Sequence, residues 1–267
     1  MCLVAVAWRV HPRWQLALIA NRDEAHARPS AEAGFDPEAP EVFGGRDLVQ
    51  GGGWLQVSRD GRLAAVTNVR AGRGAETAPR SRGWLVRDFV RGRVDAVGFT
   101  AALDAQAGDY GRFNLLLHDG AQLVCASNHP AFGAGPVAPG MHAMSNGGFD
   151  APWPKGVFAT RALQAWLASP LADTAAPAAD TIEPLFTALR DTTRAPDADL
   201  PDTGVGIELE RMLSPPFVLD ATYGTRCSSV VLIGAWELLF AERRYGADGA
   251  ATGTSIERLA HGASPPR

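Results

Sequence analysis

The stretch CLVAVAW at residues 2–8, followed after the turn His11-Pro12-Arg13 by WQLALIANRDE at residues 14–24, decides how this chain folds. Up to Ala20 both segments are apolar at nearly every position. Two such runs joined by a short Pro-containing turn read as antiparallel strands in a sheet covered on both faces. The second run ends abruptly in Asn21, Arg22, Asp23 and Glu24. An antiparallel return places that polar cluster beside the start of the first strand, where Cys2 stands.

The rest of the chain extends this pattern. Residues 28–40 are Pro-rich and read as a surface stretch, followed by a turn at Gly44-Gly45. Gly51-Gly52-Gly53-Trp54 leads into a strand at 55–58, and Asp60-Gly61 marks a hairpin to a partner at 62–68. Residues 82–91 have helical spacing, with Leu85, Val86, Phe89 and Val90 on one side. A second helix is expected at 99–106. A hairpin across Asp119-Gly120 joins strands at 110–118 and 122–127, and a short strand at 141–145 ends in Ser145-Asn146-Gly147. Helices are expected at 155–168 and 182–191 around a Pro/Ala-rich linker, with an irregular segment at 195–217. Strands at 225–233 and 236–245 close the sheet, with a last one at 254–259. One domain over 1–259 with a flexible tail at 260–267 is the organisation this implies.

Composition bounds the function. The chain has 267 residues, 46% hydrophobic and 20% charged, which suffices for a substantial core. A net charge of −4 argues against general nucleic-acid binding, which needs a basic surplus. No apolar run approaches the roughly 20 residues that span a bilayer, so stable membrane insertion is not expected. Arg9, His11 and Arg13 interrupt the segment where an export signal would need its apolar core. Three cysteines, Cys2, Cys125 and Cys227, make neither a disulfide framework nor a zinc spacing, and a cytoplasmic location is expected. No GxGxxG follows a strand and no GxxxxGK[ST] occurs, so nucleotide-phosphate motifs are absent. The six histidines show no ligand spacing, and no metal site is expected.

Cys2 carries the chemistry. Removal of Met1 would leave one residue bearing both a thiol and a free α-amine, whose reference pKa values of about 8.5 and about 7.7–8.0 let the amine accept the thiol proton near neutral pH. The plainer alternative is a small apolar residue opening a strand. At the neighbouring strand end a carboxylate can hold the amine and a guanidinium can favour thiolate, or an exposed Arg–Asp pair simply meets solvent.

The motifs Ala20-Asn21-Arg22-Asp23-Glu24, Gly52-Gly53-Trp54-Leu55, Thr67-Asn68, Phe113-Asn114-Leu115, Ser145-Asn146 with Pro152-Trp153, and Tyr223-Gly224-Thr225-Arg226 together resemble the NRDE family, in order and over nearly the whole chain. That family is similar to the cysteine-type N-terminal nucleophile hydrolases, such as penicillin V acylase, bile salt hydrolase and acid ceramidase. The resemblance implies an α+β fold: a four-layer αββα sandwich of two stacked, mainly antiparallel sheets. It implies Cys2 as nucleophile, Arg22 beside it, Asp23 on the terminal amine, Asn68 in the oxyanion hole, Asn146 near the amine, and Arg226 opening the late hairpin.

One departure stands out. Those acylases place the carboxylate three positions after the arginine, whereas Asp23 follows Arg22 directly. Successive strand residues face opposite sides, so either a bulge re-aims one of them, or Asn21 and Asp23 face the site together, or Glu24 is the carboxylate that counts. Asn21, Glu24, Trp54 and Trp153 are candidate binding residues; Trp54, Trp84 and Trp153 line an apolar cleft or pack as core. Cys125 and Cys227 read as packed strand thiols. Arg70, Arg73, Arg80 and Arg82 read as a solvated surface or an anion-recognising loop.

Two functions follow from the same residues. One is cofactor-independent hydrolysis of a non-peptide amide or thioester in a small or lipid-like substrate. The other, implied by links of the family to haem mobilisation and acyl-coenzyme A or lipid handling, is non-enzymatic carriage of haem, acyl-coenzyme A or lipid. An interaction module without a small-molecule site is the third and least attractive reading.

Overall fold

The first hairpin forms as its sequence dictates. Strand β1 (Cys2–Trp8) pairs antiparallel with β2 (Trp14–Ala25), setting Cys2 opposite Arg22 and Trp8 opposite Leu16. The computed structural model describes residues 2–72, 77–174 and 177–260. After β2 come β3 (Ser30–Asp36), β4 (Ala39–Asp47), β5 (Leu55–Ser58), β6 (Leu63–Asn68), α1 (Gly83–Arg91) and α2 (Ala96–Asp104). The chain continues through β7 (Phe113–His118), β8 (Leu123–Ser127), β9 (Gly133–Pro136), β10 (Gly140–Met144), α3 (Pro154–Leu167) and α4 (Ala179–Leu189). It ends with α5 (Ile207–Met212), β11 (Tyr223–Gly234), β12 (Glu237–Tyr245) and β13 (Ala251–Ala260).

Two antiparallel sheets result, ordered β10-β1-β2-β11-β12-β13 and β3-β4-β5-β6-β7-β8-β9. The two-residue alternation of β1 and β2 explains how they stack. Val4, Val6, Trp8, Leu16 and Leu18 face the second sheet and meet Phe43, Leu55, Val57 and Leu116. Leu3, Ala5, Ala7 and Ile19 face away and are covered by Leu163 and Trp166 of α3 and Ile182 and Phe186 of α4. On the far side, Leu85 and Phe89 of α1 and Leu103 of α2 cover Leu115, Leu117 and Val124. The layers are therefore helix, sheet, sheet, helix: the αββα sandwich expected. Uniformly apolar strands are the signature of a sheet covered on both faces.

Several local expectations needed correction. The Pro-rich stretch at 28–40 holds all of β3 and the start of β4, where Ala33 and Ala39 are buried. Gly133–Pro136 forms an edge strand from residues with little strand propensity, held by pairing to β8. The irregular segment at 195–217 contains α5. The last strand, Ala251–Ala260, is longer than the expected 254–259 and takes in the first residue of the expected tail, whose other residues, 261–267, lie outside the described residues.

Candidate active site

The site lies at the open end of the two sheets, in a cleft of about 410 Å³. Because Cys2 and Arg22 are directly opposed, both side chains project from the same face, towards the second sheet. There Trp54 rises from the loop before β5, and the Arg22 guanidinium carbon lies 4.3 Å from its ring centroid. Gly45 permits this: a Cβ at that position would sit 2.0 Å from the indole Cζ2. The cleft wall closes where Gly53 N–H donates to Gly83 O at 3.0 Å. Gly52, with φ +85°, could carry no side chain there, since its Cβ would fall 2.3 Å from the Gly83 carbonyl carbon.

Asp23 occupies the opposite face of β2 and is 1% exposed, yet it lines the cleft. This resolves the adjacency of Arg22 and Asp23. A thiol projects to one face, whereas an amine on residue 2 lies in the strand backbone between the faces. Arg22 therefore shares the face of the thiol and Asp23 takes the other, with no bulge in β2. The bulge lies instead in β11, where Thr225 pairs with Asp23 and Cys227 with Arg22, leaving Arg226 as the extra residue. Thr225 Oγ1 donates to Asp23 Oδ1 at 2.6 Å. Burial pushes the Asp23 carboxyl up, opposed foremost by Lys155. Burial likewise pushes the Cys2 thiol up and Asp23 adds to this, while Arg22 and the Asp23 backbone N–H favour the thiolate.

Across the cleft, Asn68 ends β6. Asn146 Nδ2 donates to its backbone oxygen at 3.0 Å and to its Oδ1 at 3.1 Å. With Oδ1 so engaged, the free donors of the Asn68 amide are on Nδ2, and the residue lines the cleft. Asn146 itself is fully buried and does not line the cleft; it positions Asn68. Ser145 Oγ donates to Cys2 O at 2.9 Å, and Asn114 Nδ2 donates to Gly147 O at 2.7 Å, so the 145–147 turn ties both sheets to the head of β1.

The remaining candidates divide. Glu24 lines the cleft between Arg22 at 3.7 Å and Arg28 at 3.8 Å. Asn21 does not: its Nδ2 donates to Leu189 O and Pro216 O, and its Oδ1 accepts from Ser228 Oγ. It shares the outer face with Asp23 but lies one pair deeper, where the helix layer covers it. Trp153 lies outside the cleft under Arg70, 5.1 Å from its ring centroid. Arg226 lies outside too; its Nη1 donates to the carbonyls of Ala25, His26 and Arg28 and fixes the chain leaving β2. That turn brings Arg28 to the cleft, where it pairs with Asp47 at 2.6 Å. Of the basic run, Arg80 and Arg82 line the cleft, Arg70 is paired with Glu210 at 2.5 Å, and Arg73 lies outside the described residues. Trp84 donates its Nε1–H to Gln50 O and is not a lining residue. Cys227 is buried, and burial pushes the half-buried Cys125 thiol up to about 12.

Sequence reading missed Lys155, Arg28, Asp47 and Tyr223. Lys155 is nearly fully buried, and Tyr223 Oη donates to Asp23 O at 3.0 Å. A lysine at the start of a helix carries no signal of burial, although the motif Tyr223-Gly224-Thr225 did mark its strand. A smaller chamber of about 130 Å³ lies behind the cleft, with Arg22 and Trp54 lining both. Glu242, 1% exposed, lines it and accepts the Ala33 backbone N–H at 2.8 Å.

Fold and cleft define a class: an αββα-sandwich protein with a cysteine heading its first strand, an arginine on the thiol side, a carboxylate on the backbone side and an asparagine amide opposite. The chain belongs to the Transport and Golgi organisation 2 family, whose model matches residues 1–247 and which is the NRDE grouping its motifs resemble. It is 29% identical over 263 residues to the Transport and Golgi organization 2 homolog of Mus musculus, covering 91% of this chain and 92% of that protein. The Homo sapiens homolog matches with the same identity and coverage. Among solved structures it is similar to a Caenorhabditis elegans N-acylethanolamine-hydrolyzing acid amidase ortholog (10% identity, 86% of this chain and 92% of that one, TM-score 0.47). It is also similar to the C2A mutant of conjugated bile acid hydrolase from Clostridium perfringens (9% identity, 98% and 97%, TM-score 0.43). Among the described residues no helix is long and apolar enough to cross a membrane.

Proposed function

We propose that the cleft hydrolyses a non-peptide amide or thioester of a small or lipid-like substrate, with Cys2, freed by loss of Met1, as the nucleophile. The observation that carries this reading is the division of labour around residue 2: Arg22 on the thiol side, Asp23 on the backbone side, and the Asn68 amide across the cleft. In this scheme the α-amine takes the thiol proton as sulfur bonds to the carbonyl carbon. The Asn68 Nδ2–H donates to the oxyanion. Collapse breaks the C–N or C–S bond, and the leaving amine or thiol takes the proton back from the ammonium. Water then attacks the acyl-cysteine by the same route, releasing the acid and restoring the thiol. No cofactor enters the scheme.

The test is intact mass before and after reaction with an electrophilic acyl probe. The expected result is a chain lacking Met1 that gains one acyl group, mapped to Cys2. A Cys2→Ala variant that keeps full turnover of an amide or thioester probe, or active protein that retains Met1, overturns the reading.

A second reading, carriage of an acyl-coenzyme A or related lipid, has support in the guanidinium groups of Arg28, Arg80 and Arg82 on the cleft wall, which suit phosphate oxygens. Haem fits this lining less well, because it needs broad apolar faces and the main ones here are Trp54 and Val66. Calorimetry with acyl-coenzyme A and Cys2→Ala protein separates the two: tight binding without turnover by the wild type favours carriage.

A further inference from the structure

Lys155, in the first turn of α3, is 3% exposed, and its ammonium donates to Leu213 O at 3.1 Å. A buried ammonium needs an anion near it. Its neighbours are Asp23 of β2 and, further round, the Arg70–Glu210 pair, already joined at 2.5 Å. Asp23 is the foremost anion acting on Lys155, and Lys155 the foremost cation acting on Asp23. Lys155 also feels Cys2. Lys155 heads the Lys155–Ala159–Leu163 row of α3, whose later members pack on Ala17 and Ile19 of β2, and Asp23 shares the face of Ile19, so both buried charges lie between that helix and the outer face of the first sheet.

That arrangement answers a difficulty in the proposed chemistry. A base made from an α-amine must be neutral when it takes the thiol proton. A buried carboxylate beside it, with nothing to balance it, holds the amine as ammonium and disables it. Arg22 lies on the other face against Trp54 and engages Glu24, and it acts on Asp23 less than Lys155 does. On β11, Tyr223 is neutral and donates to the Asp23 backbone, Cys227 is paired opposite Arg22, and Arg226 is bound to the carbonyls of Ala25, His26 and Arg28.

We propose that Lys155 is a positioning residue of the site: its buried ammonium offsets the Asp23 carboxylate, so that Asp23 can orient the α-amine of Cys2 without locking it in the protonated form. This role rests on the reading of Cys2 as a nucleophile with its own amine as base.

The experiment titrates the α-amine directly. Protein lacking Met1 and labelled with carbon-13 cysteine is followed by NMR as pH is raised, reading the Cys2 Cα and Cβ shifts. Lys155→Met is expected to move the amine midpoint up by about 1 pH unit or more, Lys155→Arg to leave it near the wild-type value, and Asp23→Asn to move it down. The double variant Lys155→Met/Asp23→Asn removes both buried charges, which protects folding, and its midpoint is expected to return towards wild type. Coincident midpoints for wild type and Lys155→Met overturn the proposal; if Lys155→Met does not fold, an unmoved midpoint in Asp23→Asn does so. Failure of the parent reading looks different: Cys2→Ala would keep turnover while the amine midpoints still moved with Lys155.

Discussion

Arg22 is held by stacking on Trp54 and by Glu24, on the strand face it shares with the Cys2 thiol. Burial works against the thiolate, so the guanidinium is the side chain on that face working for it. Replacing it with methionine keeps the packing and removes the charge. Arg22→Met is expected to slow alkylation of Cys2 at pH 7 by about tenfold, the effect of one pKa unit on thiolate population; peptide-resolved mass spectrometry reads it, and an unchanged rate removes Arg22 from the site. Glu242 gives a second test. Burial raises its carboxyl, so the native state holds that proton more tightly than the unfolded chain. Its contribution to stability is full below the ordinary carboxylate range and is lost as pH rises through the raised value. Thermal melts of Glu242→Gln and wild type between about pH 5 and about pH 8 should therefore diverge, with the variant gaining on wild type as pH rises.

At the scale of elements, the cleft is built by close backbone approaches that only glycine permits. The indole of Trp54 lies on Gly45, and the loop at Gly52 lies on the start of α1. Gly45→Ala puts a methyl group inside the volume of the indole, and the ring must leave Arg22. The expected outcome is a loss of about 1–3 kcal/mol in unfolding free energy and a changed tryptophan emission, with Cys2 alkylation slowed in parallel. Retained emission and reactivity would mean that Trp54 does not support Arg22. The bulge at Arg226 acts at the same scale, since its three carbonyl contacts set the turn that carries Arg28 into the cleft.

The whole molecule depends on the seam between the sheets. Phe43 of one sheet meets Phe240 of the other edge to face, with ring centroids 5.3 Å apart. Phe240 is fully buried, so Phe240→Ala is expected to cost about 3–5 kcal/mol. Near- and far-ultraviolet circular dichroism should lose signal together, because neither sheet keeps a covered inner face alone. Non-coincident transitions would show the sheets to be separable units. The cleft lies at the end of that seam, with Cys2 and Arg22 from one sheet and Trp54 and Asn68 from the other.

The amino-acid sequence by itself determined the layers and the head of the site. The uniformly apolar runs at 2–8 and 14–20 call for a covering layer on each face, the two-residue period fixes which face each residue takes, and antiparallel return alone brings Cys2 to Arg22. It also marked Asn68, Trp54 and Glu24 as residues to expect there. Only the tertiary structure decided the rest. Asn21 and Asp23 share a face and are indistinguishable by period, yet one pair of depth puts Asn21 under the helices and leaves Asp23 at the cleft. Asn146 proved to stand behind Asn68, Trp153 and Arg226 outside the cleft, and Lys155 inside the protein. The physical reason is common to all of these. Strand and helix periods fix the direction of a side chain from local geometry, whereas burial, charge balance and which loop reaches the cleft depend on segments far apart in the sequence meeting in space: 58 residues for Lys155 and Leu213, 78 for Asn146 and Asn68, 168 for Asn21 and Leu189.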